Sequence, residues 1–274
     1  MNADEEKIRY QSSWGFHANH YAPQGCYDWM SEQLDTVKPK RILDIGCGTG
    51  EGLAALRNRF QCQILSIEEN PYCIGAAAKL LRSQGAKVQT ARRYQYVEMP
   101  DGRHGIGIEP GGITLSREVM LLQGDIILED DALFAFIRSK APFDAVTVWL
   151  IGAVNSRRSC VNLDPLRMED TGSYRLHVQN RVYRLAGTVL RSGGILQVVD
   201  RGEEPDTDNL REDVLRGHRE QAAVSDLVVE GLKFRLYDEV SGERGIQMAQ
   251  TVGTSGRKPT NYVLGMVSTL SRKP

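Results

Sequence analysis

Four glycines, at 46, 48, 50 and 52, follow the apolar run Ile42–Ile45, which carries a single acid, Asp44. An apolar run of that length bounded by glycine predicts a buried strand ending in a tight turn. Leu53, Leu56 and Phe60 come next at helical spacing, so the unit reads strand, glycine turn, helix. Glycine lets the chain bend sharply and lets a ligand approach its amides. The helix start beyond it offers unpaired N–H groups to something polar. The spacing narrows the ligand. A dinucleotide fingerprint counted from Gly46 would need a glycine where Glu51 stands, and a phosphate loop would need Lys-Ser/Thr after Gly50. A second acid, Glu68, ends the next strand-like run, about 20 residues beyond the turn. A carboxylate there can accept both hydroxyls of a ribose. Its neighbour Glu69 reads as a charge at a helix start, where Asn70-Pro71 opens the helix that continues to Gly85.

With its acid and preceding strand, the pattern acid-x-Gly-x-Gly-x-Gly resembles motif I of the class I S-adenosylmethionine (SAM)-dependent methyltransferases. The resemblance spans roughly 41–270, and its specific motifs lie within 41–125. It implies SAM as cofactor, with Asp44, Gly46, Cys47, Gly48 and Gly50 around its amino-acid end, Glu68 at its ribose and Glu69 beside it among the cofactor-binding residues. Gly124-Asp125 after the run 119–122 resembles the family's adenine site, which gives Asp125 the adenine amino group and Ile126 the ring face. The run 145–151 resembles the fourth strand, whose tip faces the methyl group, and places Trp149 and Ile151 there. The segment before the first strand often folds over the site as a lid in that family. Trp14, Tyr21, His17 and His20 in WGFHANHY are therefore expected near the substrate, the histidines as weak candidates for a base. Asn155, Ser156 and Arg157 in the long polar loop after Ile151 are expected to meet substrate. The Asn-Pro-Pro-Tyr run of many macromolecule-modifying methyltransferases is missing, which disfavours such substrates.

The elements that must hold these residues are an α/β doubly wound, mostly parallel sheet. Seven strands are expected, with an antiparallel closing strand. The chain divides into an N-terminal helical lid over 1–40 and a SAM-binding domain over 41–274. An inserted β-hairpin over 86–118 turns at Pro100-Asp101-Gly102. The fifth strand is placed at 195–199 after a helix ending near Gly193, and the closing strands at 232–240 and 262–270, after a helix over 210–230.

The 274 residues carry a net charge of −1, from 34 Lys plus Arg against 35 Asp plus Glu. That balance gives no long-range pull on a nucleic-acid backbone. The pairs Arg92-Arg93 and Arg157-Arg158 read as solvated loops. Five cysteines with no CxxC pair fit reduced thiols in a cytoplasmic protein, and Cys47 reads as packing. His17 and His20 lack a third ligand, so no metal is expected. The acidic start resembles no signal peptide, and no apolar run reaches a membrane span. The expected activity is methyl transfer from SAM to a small molecule, as in specialised metabolism, by a chain acting alone or as a homodimer. Cleavage or cyclisation of SAM itself, a protein or RNA acceptor, and a non-catalytic binding module are the alternatives.

Overall fold

The computed structural model describes residues 3–109, 113–152, 157, 159–167, 171–239 and 263–274. The N-terminal segment is a helix, α1 (Ala3–Tyr21), followed by α2 (Cys26–Glu32). Asp4, Glu5 and Glu6 in the first turn of α1 complement its dipole, and Lys7, Trp14, His17, Ala18 and Tyr21 form its buried stripe. Then follow β1 (Arg41–Ile45), α3 (Glu51–Phe60), β2 (Gln63–Glu68) and α4 (Pro71–Ser83). The Asn70 side chain caps α4 by accepting from Tyr72 N. The insert holds β3 (Val88–Ala91), β4 (Tyr94–Glu98) and β5 (His104–Ile108), and leads to β6 (Val119–Gln123). The rest comprises α5 (Asp131–Lys140), β7 (Phe143–Trp149), a 3-10 turn (Val161–Leu166), α6 (Thr171–Val189), β8 (Leu190–Glu203), α7 (Asp208–Ala222), β9 (Val228–Leu236) and β10 (Leu264–Arg272).

The main sheet runs β3-β6-β2-β1-β7-β8-β10-β9, and β4-β5 form a separate antiparallel hairpin. The expected α/β doubly wound class is the observed one, and β10 is antiparallel to both its neighbours. Eight strands are present rather than seven. The eighth is β3, which pairs parallel to β6 at the sheet edge. The sequence places these residues in the inserted hairpin, because they are half-buried and lack the apolar run of a central strand. Successive residues alternate between faces. Ile42, Ile64, Leu121 and Val199 pack under α1 to α4. Leu43, Leu65, Leu122 and Val198 pack under α5 and α6.

Two boundaries differ from expectation. The helix expected to run past Leu190 ends at Val189, because the chain joins the sheet there: Gly193 N donates to Lys273 O and Lys273 N to Gly194 O. The helix expected to reach Glu230 stops at Ala222, and Val228–Leu236 enters the sheet as β9. Its β-branched and aromatic residues gain a ladder with β10 that a helix would forgo.

Candidate active site

The carboxyl ends of β1, β2, β6 and β7 meet at one cleft, which encloses about 550 Å³ including its open mouth. Its floor is Gly46 and Gly48 after β1, Glu68 and Glu69 after β2, Gly124 to Ile126 after β6, and Leu150 to Gly152 after β7. Tyr10 and Trp14 of α1 and Tyr174 and Val178 of α6 roof it. Parallel strands end together on one side, so their terminal residues converge without further design. Leu150 sits at a positive φ of 56°. A left-handed leucine is uncommon and is held here by its N–H donating to Val199 O at 2.7 Å.

Glycine is required at three points of the turn, one of them Gly50, whose φ is 104° and whose Cβ would stand 2.8 Å from the Ala77 Cα. Gly46 and Gly48 have φ of 88° and 51°. A Cβ on Gly48 would run into the Trp14 indole, and one on Gly46 into the Ile151 side chain. Gly48→Ala is expected to cost about 1–2 kcal/mol from the left-handed backbone alone. The steric part adds to that. Chemical denaturation of Gly48→Ala with and without Trp14→Ala separates the two, since only the steric part is recovered in the double variant.

Glu68 accepts from Gly48 N through Oε2 at 3.2 Å and from Asn70 N through Oε1 at 2.9 Å. It is buried, and burial followed by the adjacent Glu69 charge raises its pKa to about 8. Glu69 differs. Burial alone would push it up, but Lys7 and Arg157 outweigh that and hold it below the usual carboxylate range. Lys7 is fully buried and donates to Glu69 Oε2 at 2.5 Å, while Arg157 Nη1 lies 3.6 Å from the same oxygen. Asp125 accepts from Ile127 N at 3.1 Å and is ion-paired to Arg157 Nη2. Arg157 lies 5.3 Å from the Tyr174 ring. Burial works against its charge, and Asp125, Tyr174 and Glu69 outweigh it.

Of the residues singled out in the sequence, Trp14, Gly46, Gly48, Glu68, Glu69, Asp125, Ile126 and Ile151 line the cleft. The others do not. Asp44 is spent between strands, accepting from Ser66 at 2.7 Å and Thr147 at 2.8 Å, its register neighbours on β2 and β7. Cys47 is buried behind the turn, where desolvation raises its thiol pKa and removes thiolate character. Gly50 packs on Ala77. Trp149 turns into the core, donating to Gln197 Oε1 at 3.1 Å. Tyr21 packs edge-on against Tyr237, and its hydroxyl lies 3.3 Å from His17 Nδ1. His20 Nε2 lies 2.8 Å from Asp238 O. Neither histidine lines the cleft, so neither is placed as a base. Asn155 and Ser156 lie outside the described residues. Arg157, read in the sequence as half of a solvated pair and as a substrate contact, is 3% exposed and binds acids of the cleft.

Lys7, Tyr10, Tyr174 and Val178 went unrecognised in the sequence. Lys7, Tyr10 and Trp14 follow one another at i, i+3 and i+7, which is one helix face. Extending α1 back to Ala3 would have exposed that signal. Among the described residues no three His, Cys, Asp or Glu side chains are placed to hold a metal ion. No helix among them is long and apolar enough to cross a membrane.

A scan against protein-family models finds no match, and a search of curated proteins finds none either. Solved structures similar to the chain include the [4+2]-cyclase SpnF, 16% identical over 89% of this chain and 80% of that one, with a TM-score of 0.44. The N-methyltransferase NodS from Bradyrhizobium japonicum WM9 is 13% identical over 89% of this chain and 94% of that one, at 0.41. The StiE O-MT is 9% identical over 92% of this chain and 74% of that one, at 0.47. None of these likenesses bears on the site, which rests on its own geometry.

Proposed function

We propose that the chain is a SAM-dependent methyltransferase acting on a small-molecule acceptor. One observation carries this reading: Glu68 ends β2 inside the cleft, buried, with no cation among the described residues bound to it. The nearby lysine binds Glu69 instead. Once the acid is ionised, two backbone N–H groups use one lone pair of each Glu68 oxygen, and each oxygen retains another. A vicinal diol supplies the missing donors. The rest of the cleft fits the group in part. The amides and bare faces of Gly46 and Gly48 suit the amino-acid end. Asp125 is already bound by Arg157, so the adenine amino group must share that carboxylate or displace the guanidinium.

When bound, SAM supplies a methyl group already activated on positive sulfur. The chain then has to bind, align and exclude water. Glu68 orients the ribose, while Tyr10, Trp14 and Tyr174 close the cleft against solvent. The near-neutral charge supports a small acceptor rather than a nucleic acid. The narrow, roofed cleft also favours a second reading, in which the sulfonium compound is itself cleaved or cyclised. S-adenosylhomocysteine at 100 times its Kd is expected to stabilise the fold by about 2.7 kcal/mol, read as a higher melting temperature. No shift with either SAM or its product overturns both readings. Turnover of SAM without any acceptor selects the second.

A further inference from the structure

The inserted hairpin is the part of the chain to which methyl transfer gives no task. Its strands β4 and β5 pair only with each other. A two-stranded hairpin is marginal alone, so docking must supply its stability. It docks on the walls of the cleft. Alternate residues of a strand share a face, and Tyr94 and Tyr96 of β4 turn inward while Gln95 between them is exposed. Tyr94 is 1% exposed. Its oxygen accepts from Asp125 N at 3.0 Å and lies 3.5 Å from Asp130 Oδ2. Tyr96 donates to Glu69 O at 3.2 Å. From β5, Ile106 N donates to Asn162 Oδ1 at 2.7 Å, on the segment that follows Arg157. The hairpin thus grips the chain after β2, β6 and β7, three of the four strands whose ends form the cleft.

The hairpin is firmly held where Tyr94 begins. The preceding residue, Arg93, binds both oxygens of Asp130, at 2.7 and 2.8 Å, and Asp130 also caps α5 by accepting from Leu133 N at 3.0 Å. Arg93 and Asp130 are both buried, and a two-pronged pair of this kind fixes geometry as well as charge. Burial raises the pKa of the Tyr94 phenol and keeps it protonated. Asp125 is therefore held at three points: its N–H by Tyr94, Oδ1 by Ile127 N and Oδ2 by Arg157. Two of these occupy the carboxylate. The Tyr94 bond alone fixes the backbone and leaves the acceptor oxygens to others. Neither tyrosine lines the cleft, so each acts through the acid segment it holds.

We propose that Tyr94 is a positioning residue for the nucleobase end of the cofactor, holding the Asp125 turn so that its carboxylate meets a base that carries an amino group. This rests on the cofactor reading above. The coupling runs both ways: a ligand that engages Asp125 must in turn steady the hairpin.

The test is calorimetric titration of the full chain with S-adenosylhomocysteine and with S-inosylhomocysteine, which carries an oxygen in place of the amino group. Tyr94→Phe removes one oxygen. It should lower the affinity for the adenine compound about fivefold, the worth of one hydrogen bond, and leave that for the inosine compound unchanged. Tyr183→Phe is the control. Tyr183 is fully buried outside the cleft lining, with His218 Nδ1 and Ser271 Oγ within 2.9 and 3.3 Å of its hydroxyl, so both affinities should stay the same. A second measurement uses the wild type alone: S-adenosylhomocysteine should slow hydrogen exchange of the β4–β5 ladder amides more than S-inosylhomocysteine does. The proposal is overturned by equal losses for the two compounds in Tyr94→Phe, by no loss, by the same selective loss in Tyr183→Phe, or by equal ladder exchange with the two compounds. A wild type that binds neither compound is a distinct result, which overturns the cofactor reading and this proposal with it.

Discussion

Glu68→Gln is expected to weaken SAM binding tenfold or more and, at the same time, to improve the stability of the ligand-free protein at alkaline pH relative to acid pH. The first effect follows from losing a charged acceptor for the ribose, worth roughly 1.5–3 kcal/mol. The second follows from linkage. In the unfolded chain the carboxyl releases its proton near the ordinary glutamate value of about 4.3. In the fold it keeps the proton up to about pH 8. Between those values the folded state binds more protons than the unfolded one, so its stability falls as pH rises. Glutamine has no proton to release and suffers no such fall. The variant should therefore gain on the wild type from pH 5 to pH 8, by an amount on the order of a few kcal/mol. The gain offsets the backbone N–H, of Gly48 or Asn70, that one glutamine oxygen can no longer satisfy. Calorimetric melting at the two pH values reads the stability, and titration with S-adenosylhomocysteine reads the affinity. A parallel pH dependence in the two proteins would show that Glu68 is not held neutral. The same linkage predicts that the wild type releases a proton on binding near pH 7, since a diol bonds best to the ionised acid.

The place of Glu68 in the cleft could be found in the sequence because it depends on spacing along the chain. The distance from the glycine turn and the end of an apolar run fix where it emerges from the sheet. Gly46, Gly48 and Asp125 were legible for the same reason. Asp44 shows the limit of that logic. Its position was right, yet Ser66 and Thr147 on adjacent strands claim both its oxygens, and only register reveals them. Trp149 and Tyr21 illustrate a different failure. A large aromatic near a site is as able to fill core as to meet ligand, and the alternation of faces decides it. In the sequence Arg157 reads as solvated or as a substrate contact, because an arginine in a polar loop looks free until the two acids it meets are placed. Lys7 was hidden for a similar reason, since a lysine in an acidic first turn suggests solvent rather than a buried pair. The edge strand β3 reads there as part of the inserted hairpin because it is short and half-buried.

The roof follows from these placements. α1 is held down through Lys7 on Glu69 and through Asn70 Nδ2, which donates to Lys7 O at 3.0 Å. Both anchor points, Glu69 and Asn70, directly follow Glu68 in the chain. The helix that roofs the cleft is thus fastened beside Glu68, and its Trp14 rests on the glycine turn.

Arg157→Met should have the largest effect on stability of any single change in the cleft. Arg157 is buried between Asp125 and Glu69 and is the cation that neutralises Asp125. Removing one partner of a buried ion pair leaves an uncompensated charge, which typically costs about 3–5 kcal/mol. Glu69 retains Lys7, so most of the loss falls on Asp125. Asp125→Asn in the Arg157→Met background should therefore recover a large part of it, because the stranded charge is gone. The same logic separates an ion pair from simple packing: if Arg157 only filled space, Asp125→Asn would add to the damage rather than relieve it. Urea unfolding of the wild type, both single variants and the double variant gives the coupling directly, and additive losses would contradict the pairing. Arg157→Met also frees the Asp125 carboxylate that an adenine amino group would need. Its affinity for S-adenosylhomocysteine, measured where the variant is still folded, shows whether the guanidinium competes with the nucleoside or helps to hold it. Tighter binding means that Arg157 stands in for the adenine amino group in the free protein. Weaker binding means that it stays, with its flat face against Tyr174, as part of the cofactor's own wall.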